Sequence, residues 1–110
     1  AADLWLDNLI PAQKEVAAMA KALAQGGAVK LLVMGDAAIA QAKSLAAHPN
    51  IDIVPANFGD IWLRDTGPVF ARMNDKKIAL AFGFNGWGGK YEFPFDKDVA
   101  AFIAEQSGAL

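Results

Sequence analysis

Between Pro11 and Pro55 the hydrophobic pattern runs helix, strand, helix, strand, and no other feature limits the fold as strongly. From Pro11 to Gln25 the larger apolar residues Val16, Met19 and Leu23 recur at three- and four-residue spacing among alanines. This is the stripe of a helix buried on one side, and Gly26 and Gly27 stop it. "AVKLLVM", Ala28 to Met34, is too short for a helix and nearly continuous in its hydrophobicity, which predicts a strand covered on both faces. Asp36 is placed to cap a second helix carrying Ile39, Ala42, Leu45 and Ala46 on one side. That helix must end near His48, because Pro49 disfavours helical geometry before it. "IDIVP" is the next strand. The order predicts a βαβ unit with parallel strands and a right-handed crossover, and so an α/β fold.

The second half changes character. "VFARM" and "KIALAFGF" flank Asn74, Asp75 and Lys76, a polar turn between apolar runs, which predicts an antiparallel hairpin and hence mixed sheet pairing. "NGWGGKYEFPF" combines three glycines and a proline with four aromatics. Aromatics at that density need somewhere to pack, so the stretch reads as an ordered loop rather than a linker. Asp96 and Asp98 favour the start of a last helix with Val99, Phe102, Ile103 and Gln106 at helical spacing and Gly108 as its stop. The chain begins just before a helix and ends at "AL", where another strand is expected, a pattern that reads as truncation at both ends.

Composition narrows the function. With 110 residues the chain suits one small domain, and 55% hydrophobic against 20% charged residues is a globular balance. A formal net charge of −2 with scattered lysines leaves no footprint for nucleic acid or an anionic membrane, while a small neutral or cationic partner suits it. No apolar run approaches the roughly 18 residues of a membrane span. A soluble, cytoplasmic protein is expected. The sequence has no cysteine, and therefore no thiol nucleophile and no thiolate metal ligand.

"GDIWLRDTGP", residues 59 to 68, sets Trp62, Arg64 and Asp65 close together in an otherwise apolar stretch. On a regular strand Asp65 would share the apolar face with Ile61 and Leu63, and Trp62 and Arg64 would lie on the other. A buried carboxylate needs an ion pair, backbone N–H groups or a cationic ligand. The plainest reading is an Arg-Asp pair that anchors a loop. Adjacent strand residues point apart, however, so each would need another partner. A tryptophan beside a free carboxylate suits a planar cation, the ring face attracting it while the carboxylate accepts its N–H donors, and this points to a guanidinium.

"DIWLRDTGP" followed about twenty residues later by "FGFNGWGGKY", with "PAQKEVAAMAKAL" upstream, resembles the agmatine deiminases and the related bacterial peptidylarginine deiminases. The resemblance spans essentially the whole chain and covers the N-terminal third or so of such an enzyme. It implies part of a pentein β/α propeller with short mixed sheets and flanking helices, residues 1–110 being an N-terminal fragment of a single catalytic domain. It further implies hydrolysis of a guanidinium to a ureido group and ammonia without cofactor or metal. The implied site has a cysteine nucleophile, a histidine acid/base and two carboxylates. On this sequence Asp65 falls on one of those carboxylates, as a catalytic and substrate-binding residue, and Trp62 on the tryptophan lining the pocket. Because the two cannot share a face of a strand, the backbone must turn or bulge between them. Arg64 is assigned to tying the loop down, Asp60 to a turn, and Asn85, Trp87, Gly88 and Gly89 to shaping the pocket wall.

The cysteine, the catalytic histidine and the second carboxylate belong to motifs these residues do not contain. His48 matches no motif and reads as a surface or helix-terminal residue. Ser44, Thr66 and Ser107 have no adjacent base in sequence. "GFNGWGGK" is not a phosphate loop, since Phe84 and Tyr91 stand where a Walker sequence needs Gly and Ser or Thr. The expected function is that of an agmatine deiminase making N-carbamoylputrescine on a route to putrescine. Peptidylarginine or arginine deimination is the alternative within the class, and a non-catalytic guanidinium-binding or structural domain the alternative outside it. Unpaired strand edges favour self-association, so homo-oligomers are compatible with this expectation.

Overall fold

The computed structural model describes residues 5–109. They form two compact units, one through Ala56 and one from Asn57 onward.

In the first unit a 3-10 turn, Leu6–Asn8, leads into α1, Leu9–Ala24. Alanine, the best helix former, dominates α1, and Pro11 lies in its first turn, where a missing N–H costs nothing. Lys21 in the last turn suits the negative end of the helix dipole. The side chain of Asn50 donates to the Ala24 carbonyl at 2.9 Å, satisfying one of the helix's orphan acceptors. Strand β1, Val29–Val33, pairs in parallel with β2, Ile51–Pro55, and α2, Asp36–Leu45, joins them. The register sets Lys30 opposite Asp52, and their side chains meet at 3.5 Å on an exposed face. Such a surface pair contributes little to stability.

Three expectations need correction in this unit. The buried face of α1 is Ala17, Ala20 and Ala24, while Val16, Met19 and Leu23 are exposed. Small side chains let a helix approach its neighbours closely, so the burial here follows the alanines and not the larger residues. Strand β1 is half-buried, with Lys30 exposed, rather than covered on both faces. Asp36 is the first residue of α2 and not its cap; Gly35 holds that position, and Asp36 acts only through its charge near the helix N-terminus.

The second unit begins with an irregular, bent segment that closes in a single helical turn, Leu63–Thr66. Strands β3, Val69–Met73, and β4, Lys76–Leu80, form an antiparallel hairpin. Asn74 and Asp75 both have positive φ, 48° and 62°, as the tight two-residue hairpin turn requires, so Lys76 belongs to the strand and not to the turn. Strand β4 stops at Leu80, and the aromatic stretch beyond it is irregular. Parallel and antiparallel pairing therefore both occur, but in two separate two-stranded sheets. The register sets Arg72 opposite Lys77, an unfavourable pair, and Lys77 turns instead to donate to the Ser107 carbonyl at the C-terminal end of α3.

Helix α3, Val99–Ser107, follows a 3-10 turn, Asp96–Asp98, and stops at Gly108 in the left-handed conformation. Its Val99 and Ala100 are buried, as are Thr66 and Asp96, each 1% exposed. These two polar side chains are the deepest in the unit. They lie at the two ends of the arrangement that presents the candidate site.

Candidate functional site

The stretch from Gly59 to Thr66 is not a strand. Asp60 lies between bends at Gly59 and Ile61, its Oδ1 accepting from the N–H of Ile61 at 2.7 Å. Leu63 N–H then donates to the Ile61 carbonyl at 2.8 Å, and the N–H groups of Asp65 and Thr66 both donate to the Trp62 carbonyl, at 2.9 and 3.0 Å. The hydroxyl of Thr66 donates to the same carbonyl at 3.2 Å. Trp62 thus opens a helical turn in which residues three apart become neighbours, and the backbone turns between Trp62 and Asp65 as the family resemblance implied. The consequence is local. Buried Thr66 anchors the turn, while Trp62 (55% exposed), Arg64 and Asp65 remain at the surface.

The second motif arrives from 22 residues away. Asn85 caps the Gly86–Gly89 turn, its side chain accepting from the Gly88 N–H at 3.0 Å, and the N–H groups of Lys90 and Tyr91 both donate to the Gly86 carbonyl at 2.9 Å. Gly86 has φ 64°, and a Cβ there would stand 2.6 Å from the Tyr91 carbonyl oxygen. No other residue fits. Trp87 itself is left-handed at φ 56° and ψ 50°. A bulky residue in that region costs on the order of 1–3 kcal/mol and persists only where its surroundings hold it. Phe84 holds Trp87 edge-on at 4.9 Å between ring centroids, and Tyr91 does so at 6.3 Å. The result is that the Trp87 indole N–H donates to Asp65 Oδ1 at 3.2 Å.

That hydrogen bond is what brings the two motifs together. It orients the Asp65 carboxylate through one oxygen and leaves Oδ2 without a partner among the described residues. Trp62 reaches the same turn through the backbone, its side chain making no hydrogen bond among the described residues. Arg64 makes neither a hydrogen bond nor an ion pair among the described residues, so the loop is tied by Thr66 and by backbone groups instead of by its guanidinium. His48 lies past the end of α2, where its Nδ1 accepts from the Asn50 N–H at 3.1 Å. Among the described residues no three His, Asp or Glu side chains group closely enough to hold a metal ion.

The model of the Porphyromonas-type peptidyl-arginine deiminase family matches residues 1–110. The chain belongs to that family. Among its curated relatives, agmatine deiminase of Stutzerimonas stutzeri is 37% identical over 109 residues, 94% of this chain and 29% of the relative. Agmatine deiminase of Pseudomonas aeruginosa is 36% identical over 111 residues, 94% of this chain and 29% of the relative. Agmatine deiminase of Pseudomonas fluorescens is 38% identical over 88 residues, 79% of this chain and 24% of the relative. The chain spans less than a third of the length of these relatives. No solved structure matches it. No helix is long and apolar enough to cross a membrane among the described residues.

Two residues of this family member escaped the sequence reading. Thr66, set aside there as an isolated hydroxyl, is the buried anchor of the Trp62 turn. Asp96, assigned to starting the last helix, does open the turn that leads into it and is also a buried acceptor for the N–H groups of Gly59 and Asp60. Thr66 carried a signal in its place beside the charge cluster. Asp96 carried none, since nothing local marks a contact 37 residues away.

Proposed function

We propose that these residues form the N-terminal part of a cytoplasmic agmatine deiminase with the pentein propeller fold. The observation that supports it most is the Asp65 carboxylate held through Oδ1 by Trp87, with Oδ2 left to accept N–H donors, in a chain similar along its length to proteins named agmatine deiminase. A guanidinium seated at Trp62 would meet a π face and a carboxylate together. Asp65 orients the planar cation and holds its charge while a nucleophile adds to the guanidinium carbon. Ammonia then leaves, and water releases the ureido product. The sequence has no cysteine, so the thiolate implied by the family resemblance lies outside these 110 residues. A thiol-dependent enzyme requires reducing surroundings, which supports a cytoplasmic location.

The test is product analysis with the full-length protein. Agmatine should yield N-carbamoylputrescine and ammonia in equal amounts, with free arginine and peptidyl-arginine turned over far more slowly, and the 110 residues alone should release no ammonia. The family's description favours a second reading, peptidyl-arginine deimination. Preference for peptidyl-arginine would establish it, and no turnover of any guanidinium would leave a binding domain. Trp62→Ala should raise KM for agmatine about 2- to 30-fold with little change in kcat, since a ring over a cation contributes about 0.5–2 kcal/mol and no proton. An unchanged KM in a folded variant would remove Trp62 from the pocket.

A further inference from the structure

Asp96 is the most deeply buried charged side chain among the described residues, and the chemistry outlined above makes no use of it. Its Oδ1 accepts from Gly59 N–H at 2.7 Å and from Asp60 N–H at 3.2 Å. Its Oδ2 is buried and has no hydrogen-bond partner among the described residues. Two backbone donors converging on one carboxylate oxygen make a charge-assisted clamp, the stronger kind of hydrogen bond, in a place where water does not compete. Gly59 is required for it, because a Cβ at that position would collide with Cβ of Phe93 and stand 3.1 Å from Asp96 Oδ2. Asp96 is mounted on the turn that enters α3, directly ahead of buried Val99 and Ala100, so its own backbone is fixed.

Between the clamp and the site the short segment is held by further local hydrogen bonds: Asp60 Oδ1 accepts from Ile61 N–H, the Ile61 carbonyl from Leu63 N–H, and the Trp62 carbonyl from the N–H groups of Asp65 and Thr66. The segment bearing Trp62 and Asp65 is therefore pinned at both ends, by Asp96 at Gly59–Asp60 and by buried Thr66. Asp96 also lines a cavity of about 400 Å³ together with Phe84, Asn85 and Gly86, the residues that set Trp87. One carboxylate thus borders both arms that place Asp65.

We propose that Asp96 is a positioning residue of the deiminase site, clamping the start of the Gly59–Thr66 segment so that Asp65 meets the guanidinium in productive geometry. Its effect on turnover rests on the deiminase reading; the clamp itself does not.

The experiment compares the full-length wild type with Asp96→Ala, Asp96→Asn and Gly59→Ala, measuring residue-resolved amide hydrogen exchange and steady-state kinetics on agmatine. Asp96→Ala should speed exchange at Gly59 and Asp60 roughly tenfold or more, as expected for losing a hydrogen bond. It should lower kcat about 100-fold, the size of effect that an ångström-scale misplacement produces, with a smaller change in KM. Asp96→Asn keeps an acceptor oxygen in place and should restore most of the protection and most of kcat. Gly59→Ala leaves the carboxylate but forces the segments apart, so it should reproduce the alanine signature, and it decides the matter should Asp96→Ala fail to fold. Unchanged exchange in Asp96→Ala, or faster exchange with full kcat, would overturn the proposal. So would an inactive Asp96→Asn with both amides protected. Absence of agmatine turnover in the wild type would remove the deiminase reading, while the exchange data would still decide the clamp.

Discussion

On the proposed function, Asp65→Asn in the full-length protein should fold as the wild type does and lose about two to three orders of magnitude in kcat, the loss typical of removing one preorganised electrostatic contact to a transition state. The geometry makes the substitution unusually clean. The Asn carbonyl oxygen can still accept from the Trp87 indole, which is the contact that orients residue 65. The amide NH₂ is then left where Oδ2 stood, and it meets the guanidinium donor to donor. A charge-assisted pair becomes a repulsive one with almost no change in volume. Steady-state kinetics on agmatine, with thermal melting to show an intact fold, check the expectation. Turnover near the wild-type rate would mean that the guanidinium binds elsewhere.

Trp87→Phe should lower kcat/KM about tenfold with little effect on stability. Phe keeps an aromatic ring, smaller than the indole, to pack edge-on between Phe84 and Tyr91, while the N–H that holds Asp65 Oδ1 is lost. Hydrogen bonds to charged groups contribute about 1.5–3 kcal/mol, and the exposure of both partners sets this one at the low end, which corresponds to roughly a tenfold effect. The decisive comparison is the double variant. If Trp87 acts by orienting the Asp65 charge, then Trp87→Phe should cost nothing further once Asp65 is Asn, because the charge it orients is gone. Additive losses would show that Trp87 contributes to the pocket by itself and not through Asp65.

Much of the fold was legible because it is encoded locally. The period of apolar residues set α1, the two parallel strands, the hairpin and α3 within a few residues of where they lie, and Pro49 and Gly108 marked helix ends through their own backbone preferences. Once the resemblance assigned Trp62 and Asp65 to one pocket, alternation required a turn between them, since a strand would have put them on opposite faces. Periodicity misled where it ranked side chains by size: the α1 face that is buried carries Ala17, Ala20 and Ala24 and not the larger stripe. A helical wheel records which residues share a face, but which face meets the neighbouring elements is decided by packing.

By itself, then, the sequence determined the elements, the family and the two motifs to which the proposed chemistry is assigned, since each of these depends on residues within a few positions of one another. Only the tertiary structure decided how the motifs meet. It brought Trp87 to Asp65 across 22 residues and Asp96 to Gly59 across 37, and among the described residues it left Arg64 outside the hydrogen bonds that hold the loop. The physical reason is that a hydrogen bond between distant residues leaves no trace in local composition. An aspartate before a helix looks the same in sequence whether it faces water or closes on two backbone N–H groups, and only the buried geometry of the folded chain separates the two.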